Sequence, residues 1–598
     1  MPFDSAMAVG HVAGSDSAFA GRACEASFTL LPDNPHRHTP IKYSVFLTFI
    51  FYSKIDNRHS KMVFPLCYPP PMSSSVEQTI ANGWAAFCAQ PVGGLVRQLA
   101  ASGGEWHLVG GAVRDLALQR PIKDIDLVVR GVPIDRVRAA LERHGRVDLV
   151  GKHFGVLKFL PRTIEVSEAI DVALPRTEHA LHGTGGYKDF AVQSDPNLPI
   201  EDDLRRRDFT VNAMAWSVTA DRLVDPFGGR DDLLARRLRA VGKPAERFAE
   251  DYSRLLRGLR FACQLGFDIE PATWEALSRA IGRLNDKISP PAAAEEEWIV
   301  PRETIGKELV RMFTYAPARA FDLLDGSGAT SILMPELLPM KACPQPPNYH
   351  SEGDVWVHTR LALSNLESDR FREEFPNDPP AAELVFSVLL HDVAKPVTLR
   401  TPERDGTDRI RFDGHDRVGA TIAHAIAVRL KLSSFPTDTP LHVDADRLAW
   451  LVAHHLLMMS GPIDQMKNST MERYFFSDDR PGRALQQLIW ADCSATIHES
   501  GRADMTSYNQ LKARIAQLDA LTAERRRLPP PLIDGHAVMQ LLSLAPGPKV
   551  GQLLTIVREA QLAGTVKTKG EAEEFLRAQG VSALPSPPRG ERGRGKGG

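Results

Sequence analysis

Residues 107–131 read HLVGGAVRDLALQRPIKDIDLVVRG. A short apolar run ends at Gly110 and Gly111, Arg114 and Asp115 follow, and Asp124 and Asp126 stand one residue apart before a second apolar run. In a strand, residues i and i+2 point to one face, so the pattern predicts that Asp124 and Asp126 project together while Ile125 faces the core. Two carboxylates on a half-buried surface repel each other unless a cation lies between them. The spacing therefore predicts a divalent metal at Asp124 and Asp126; a solvated pair at a strand edge is the bland alternative.

The neighbourhood argues against that alternative. Gly110 and Gly111 fall at a predicted strand-to-helix turn, where bare backbone N–H groups approach phosphate, and Arg114 lies one turn into the helix as a charged partner. Metal carboxylates and a phosphate cradle within roughly 20 residues point to nucleotidyl transfer, in which Mg2+ bridges a triphosphate and lowers the pKa of an attacking 3′-hydroxyl.

The chain has 598 residues, which predicts several domains rather than one core. With 43% apolar and 24% charged residues, and 72 basic against 74 acidic, it reads as an ordinary soluble protein in which any nucleic-acid site is a local patch. Six cysteines scattered without CxxC spacing indicate neither a disulfide framework nor a zinc knuckle and suit a reducing, cytoplasmic setting. The most apolar stretch, YSVFLTFIFY at 43–52, is about half the length of a membrane span.

Residues 1–75 show no sustained period and end in a proline-rich run, which predicts a poorly ordered extension, with Met62 or Met72 as candidate natural starts. Residues 581–598 read as a disordered basic tail. From 105 to 230, β-branched runs alternate with helical patterns, the mark of a small α/β unit; from about 245 onward the apolar spacing is helical. ISPPAAAEEEWIVPRE (288–303) reads as a Pro-broken insertion and 400–415 as a loop. The expected fold is multidomain α+β, with a nucleotidyltransferase head at 76–242, a helical neck at 243–340, a further helical domain at 341–505 and a C-terminal helical segment at 506–580.

The ordered series GGAVRD and KDIDLVV, DVALPRTE (171–178), EDDLRRRDFTVNAMAW (201–216), DPFGGRDDL (225–233) and EDYSRLLRGLRFA (250–262) resembles the class II tRNA nucleotidyltransferases and bacterial poly(A) polymerases over roughly 105–315. The resemblance implies a polymerase-beta-like head whose catalytic, metal-binding carboxylates are Asp124 and Asp126, with Asp171 as a further acid near the metals. It also implies that Gly111, Arg114 and Arg207 contact nucleotide phosphate or ribose, with Asp208 and Asn212 shaping that wall, and Gly110 joins this nucleotide-binding set from the turn.

In EDYSRLLRGLR, Asp251, Arg254 and Arg257 recur every three residues, and Arg260 continues the stripe, so one helix face is predicted to carry all four. An Asp251–Arg254 surface ion pair is the plain reading. The functional one is a protein template: cytosine and adenine both present an exocyclic amine beside an unprotonated ring nitrogen, which an Asp acceptor and an Arg donor can match. Uracil and guanine present the reverse pattern. The resembling family selects CTP and ATP this way, and its EDxxR pattern is kept here as Glu250, Asp251 and Arg254.

A second constellation follows. His391 and Asp392 in LLHDVAKP are accompanied by His358, His415, His454, His455 and Asp492, all within apolar helical patterns. Such groups must find partners, and a metal satisfies several at once. The series resembles the HD metal-dependent phosphohydrolases, in the version fused to nucleotidyltransferases, and implies His358, His391, Asp392 and Asp492 as ligands, His415 and His455 for a second metal, and His454 outside the set. A divalent transition metal is expected there, with phosphatase or 2′,3′-cyclic phosphodiesterase activity. Lys395 is close enough to HD to bind phosphate, although a surface lysine is the plainer reading. PGPKVGQLL (546–554) brings Lys549 to a predicted helix start.

Together these features predict CCA addition to the 3′ end of tRNA from CTP and ATP. A poly(A) polymerase or an A-only enzyme shares most of the motifs, and a phosphohydrolase with a non-catalytic head is the alternative of another class. Neither a membrane nor a protein partner is indicated.

Overall fold

The computed structural model describes residues 75–581 apart from 123, 151–155, 165, 167, 181–189, 289–295, 461–462, 479 and 526–529. These belong to the second of two units into which the chain divides, Pro69–Gly598. The expected N-terminal extension up to residue 74, with its apolar 43–52 stretch, and the basic tail from 582 lie outside the described residues. Among the described residues no helix is long and apolar enough to cross a membrane.

The head is built on β1 (Glu105–Val109), β2 (Asp126–Arg130), β3 (Gly145–Val150), β4 (Val156–Pro161) and β5 (Ile170–Ala173), then a hairpin of β6 (Arg176–Ala180) and β7 (Phe190–Ser194), then β8 (Ala215–Ser217) and β9 (Arg222–Val224). Seven of these strands form one sheet in the order β3-β4-β5-β2-β1-β8-β9. Only the central β2–β5 pair of that sheet is parallel, and its register sets Asp126 opposite Asp171. The strand period splits β2 between two cores. Leu127 and Val129 join the main core with Trp84 and Val113, while Val128 joins a smaller one with Ile200, Leu204 and Val241. Asp126, two residues before Val128, shares the latter face.

The strand begins only at Asp126; Asp124 lies in a bend ahead of it and is exposed, and Ile125 is only partly buried. The expected DxD strand is therefore half a strand and half a turn, because Pro121 and the loop around it delay β pairing.

The motif at 225–233 is a structural clasp. Asp232, with no exposed side-chain surface, accepts hydrogen bonds from Thr210 Oγ1 at 2.6 Å and from Nε of Arg237 and Arg239, each at 2.8 Å. Asp225 accepts from the backbone N–H groups of Gly229 and Arg230. A Cβ on Gly229 would meet Thr210 O at 2.3 Å, so only glycine permits this approach.

Beyond the head the described chain is helical, with two short two-stranded pairings: Arg237–Leu238 with Asp268–Ile269, and Lys287–Ile288 with Glu297–Trp298, the flanks of the Pro-rich insertion. Helix Ser253–Leu265 packs on helix Arg302–Tyr315 through the buried Arg260–Glu308 ion pair, 2.5 Å. Helices Val355–Asn365, Ala382–Leu390, His415–Arg429, Ala445–His454 and Gly482–Ala495 surround the His/Asp constellation. The stretch at 400–415 contains a helical turn at Pro402–Asp405 and an Arg400–Arg411 bridge within the expected loop. The C-terminal helices Gly535–Leu542, Pro548–Leu562 and Lys569–Val581 share a small core of their own. They dock through Glu559, which accepts from the N–H groups of Asn468 and Ser469 at the start of helix Asn468–Phe475, and through Arg558 with Glu472.

Asp232→Ala leaves two guanidinium groups and a buried hydroxyl without their acceptor. A loss of about 2–4 kcal/mol in chemical denaturation is expected, whereas a loss below about 0.5 kcal/mol would mean that the clasp is not holding the head together.

Candidate active sites

A cleft of about 1120 Å³ opens between the sheet and helix Ser253–Leu265. Asp124, Asp126 and Asp171 all line it, the last two on adjacent strands. Burial raises the pKa of Asp126; Arg207 opposes the rise, and Asp171 and Asp124 add to it. Lys158 Nζ, from β4, lies 2.9 Å from Asp171 Oδ1. Three carboxylates on one cleft wall, two of which add to the proton affinity of Asp126, form an all-oxygen donor set suited to a hard divalent cation.

Gly110 joins β1 to helix Gly111–Ala117 at φ +70°, and a Cβ there would meet Arg207 Nη1 at 2.5 Å. The glycine thus brings bare backbone under the Arg207 guanidinium at the cleft floor. Arg207 is held by Asp203, a fully buried carboxylate that also accepts from Arg206 Nη2 at 2.8 Å and from Arg176 N–H. Arg114 lines the cleft as well and is already engaged within the protein. It is 5% exposed, pairs with Asp115 and donates to Asn212 Oδ1 at 2.7 Å. Asn212 in turn donates to Asp208, whose other oxygen receives Arg257 Nε and Nη2 at 2.9 and 2.5 Å. Burial opposes ionisation of Asp208, yet Arg257 holds its carboxyl well below the usual range. The chain Arg114–Asn212–Asp208–Arg257 fastens head to neck.

The predicted four-residue stripe is corrected. Asp251 lies before helix Ser253–Leu265 in extended backbone, and its Oδ1 accepts from Ser253 N–H. A short Asp side chain that binds the backbone two residues on competes with helix formation, so the helix starts after it. Arg254 bonds not Asp251 but Glu250, at 2.6 Å, together with the carbonyls of Arg247 and Arg206. Of its five N–H donors two remain. Arg260 is buried against Glu308, Gln264 and the Phe261 ring. Asp251, Arg254, Arg257 and Arg260 nevertheless all line the cleft.

In the second constellation, His391, His415 and His455 each hydrogen-bond through Nδ1 to the backbone carbonyl three residues back, at 2.7–2.8 Å. This fixes the tautomer and turns every Nε2 toward Asp392: 3.2 Å for His391, 3.3 Å for His415 and 3.8 Å for His455. The fourth imidazole, His358, has Nδ1 2.9 Å from Glu352 and Nε2 3.1 Å from Asp492. Among the described residues three groups of potential ligands result, His350–Glu352–His358, His358–His391–Asp392 and Asp392–His415–His455, each with its donor atoms within 4.8 Å of one another. His391 Nε2 is buried without a hydrogen-bond partner, an orphan that a metal would satisfy.

Burial and the neighbouring His391 push His455 down to about 4, toward the neutral form a ligand needs, whereas burial of His358 is outweighed by Asp492 and Glu352, which raise it to about 9. His454 stands apart, with its ring against Trp450 and Tyr474. Lys395 is not a surface lysine: it is buried, 2.7 Å from Asp392 Oδ2, and donates to Gln345 at 2.8 Å. Lys549 is exposed at the start of its helix. Asp203, inside the EDDLRRRDFTVNAMAW stretch, and Glu352, six residues before His358, have no spacing that marks them in the sequence.

The arrangement defines a nucleotidyltransferase head joined to an HD-type domain. Residues 106–239 match the Poly A polymerase head domain, and 365–521 match the HD domain, with His358 just ahead of the matched stretch. The chain is 35% identical to the Multifunctional CCA protein of Nitrosococcus oceani over 446 residues, 73% of this chain and 96% of that one. It is also 35% identical to the A-adding tRNA nucleotidyltransferase of Deinococcus radiodurans over 385 residues, 64% and 79% respectively. Its fold matches the CCA-adding enzyme of Bacillus stearothermophilus in complex with CTP, with a TM-score of 0.51 at 21% identity, covering 82% and 96%. The chain belongs to the tRNA nucleotidyltransferase family of the multifunctional CCA proteins.

Proposed function

We propose that this protein adds CCA to the 3′ end of tRNA from CTP and ATP without a nucleic-acid template, and that its HD domain is a metal-dependent phosphohydrolase. The observation that carries the first reading is the convergence of Asp124, Asp126 and Asp171 on an arginine-lined cleft. In the reaction the terminal 3′-oxygen bonds to the α-phosphorus of the triphosphate, the bond from that phosphorus to the bridging oxygen breaks, and pyrophosphate leaves. Asp124 and Asp126, with Asp171 beside them, would hold Mg2+, which when bound offsets triphosphate charge and lowers the pKa of the attacking hydroxyl. Gly110 and Gly111 offer backbone to the phosphates, and Arg207, held by Asp203, supplies positive charge above them. Arg114, Asp208 and Asn212 act as the rigid wall behind the nucleotide.

Asp124→Ala with Asp126→Ala should abolish incorporation while largely sparing tRNA affinity, which rests on distributed phosphate contacts. The assay is tRNA lacking its CCA end, offered each labelled triphosphate in turn. Incorporation of C by the wild type separates CCA addition from A-only or poly(A) addition, and full activity in the double mutant would refute the site.

Base choice falls to Asp251, whose Oδ2 has no hydrogen-bond partner among the described residues and can accept from an exocyclic amine, and to the two remaining N–H donors of Arg254. Asp251→Ala should cost about 1–3 kcal/mol of discrimination, seen as a rise of UTP and GTP relative to CTP and ATP in kcat/KM. An unchanged ratio removes Asp251 from base selection.

In the HD domain, His358, His391, Asp392 and Asp492 would hold one divalent transition metal and His415 and His455 a second, with Asp392 shared; imidazole and carboxylate donors suit such ions. When bound, the metal would supply an activated water for hydrolysis of a phosphomonoester or 2′,3′-cyclic phosphate. Glu352 orients His358. His391→Ala with Asp392→Ala should eliminate hydrolysis and spare CCA addition, and Glu352→Gln should weaken metal affinity, read by chelator competition, about 10-fold or more. Retained hydrolysis in the double mutant would exclude this site.

A further inference from the structure

The cleft runs past the carboxylates and the start of helix Ser253–Leu265 to the last turn of helix Arg302–Tyr315, an end to which nothing above gives a role. Arg311 and Tyr315 line it there; four residues apart, they share one helix face. Tyr315 is 47% exposed, unusual for a ring of its size in this protein. Arg311 is exposed and makes no hydrogen bond or ion pair among the described residues. Its guanidinium lies 5.3 Å from the centroid of Phe435, and Leu441, from the same stretch of chain, completes the wall. This contrasts with Arg254, Arg257 and Arg260, each of which is held by a carboxylate.

At about 1120 Å³ the cleft exceeds the roughly 300–1,000 Å³ that encloses one small ligand, so a triphosphate at the carboxylates leaves this end open. An exposed aromatic ring beside an unpaired guanidinium matches unpaired RNA: a base stacks on the ring while the cation meets the neighbouring phosphate. We propose that Arg311 and Tyr315 bind the single-stranded 3′ end of the acceptor RNA, Tyr315 stacking on a base and Arg311 contacting a phosphate. The inference rests on reading the head as a polymerising site.

The experiment uses the full chain and two tRNA-like acceptors, one with an unpaired 3′ overhang and one with a recessed 3′ end. Affinity is measured by fluorescence anisotropy, and KM for RNA and for CTP by steady-state incorporation. Tyr315→Ala and Arg311→Ala should each weaken overhang binding about 10-fold and raise KM for RNA to match. KM for CTP should stay within about twofold and recessed RNA should be unaffected, because neither side chain contacts the triphosphate or the duplex under the proposal. Tyr315→Phe should behave as wild type, since the ring remains. Unchanged overhang affinity in both alanine variants overturns the proposal, as does an equal loss on recessed RNA or an effect confined to KM for CTP. Anisotropy needs no turnover, so a wild type that incorporates nothing counts against the proposed function while the binding contrast still decides this one.

Discussion

The cleft depends on charge compensation. Arginines crowd around it, and each one near its base is held by an acid that the fold delivers: Asp203 for Arg206 and Arg207, Glu250 for Arg247 and Arg254, Asp208 for Arg257, Glu308 for Arg260. Removing a partner from such a buried pair leaves an uncompensated charge, which is far costlier than the pair is worth. Of these pairs Asp208–Arg257 spans the two, and with the Arg254 donation to the Arg206 carbonyl it fixes how the head meets the neck. The resulting guanidinium wall is rigid and positively charged without being a free cluster of like charges.

The carboxylates on the opposite wall obey the reverse logic. Lys158 meets Asp171, and Arg207 approaches Asp126, but burial together with Asp171 and Asp124 still raises Asp126, which leaves room for further positive charge. The parallel β2–β5 pairing is what forces them together, since it aligns Asp126 with Asp171 across adjacent strands. In the HD domain the charges differ and the strategy is the same: backbone carbonyls fix three imidazoles so that their lone pairs face one shared carboxylate.

Much of this was legible in the residues. The KDIDLVV run disclosed the two leading carboxylates, and histidines and aspartates in apolar helices disclosed a metal-type cluster, because burying such groups without partners is unfavourable in any fold. The EDYSRLLRGLR stripe was misread for a local reason. Asp251 binds the backbone N–H of Ser253 and so stands outside the helix, which leaves Glu250, four residues before Arg254, as its partner. Periodicity presumes that the helix already exists at the residue in question, and a capping side chain breaks that presumption.

What the sequence determined by itself is the chemistry available: which acids, imidazoles and arginines there are, their local spacing, and the helical or extended character of the segments that carry them. Tertiary structure alone decided the pairings. Asp126 with Asp171, Arg114 with Asn212, Arg260 with Glu308, Lys395 with Gln345, and Arg311 without an acid partner among the described residues all join residues far apart in the chain or depend on which distant acid arrives. An ionic side chain is long and its attraction is not tied to sequence separation, so its partner is whichever opposite charge packing brings within reach.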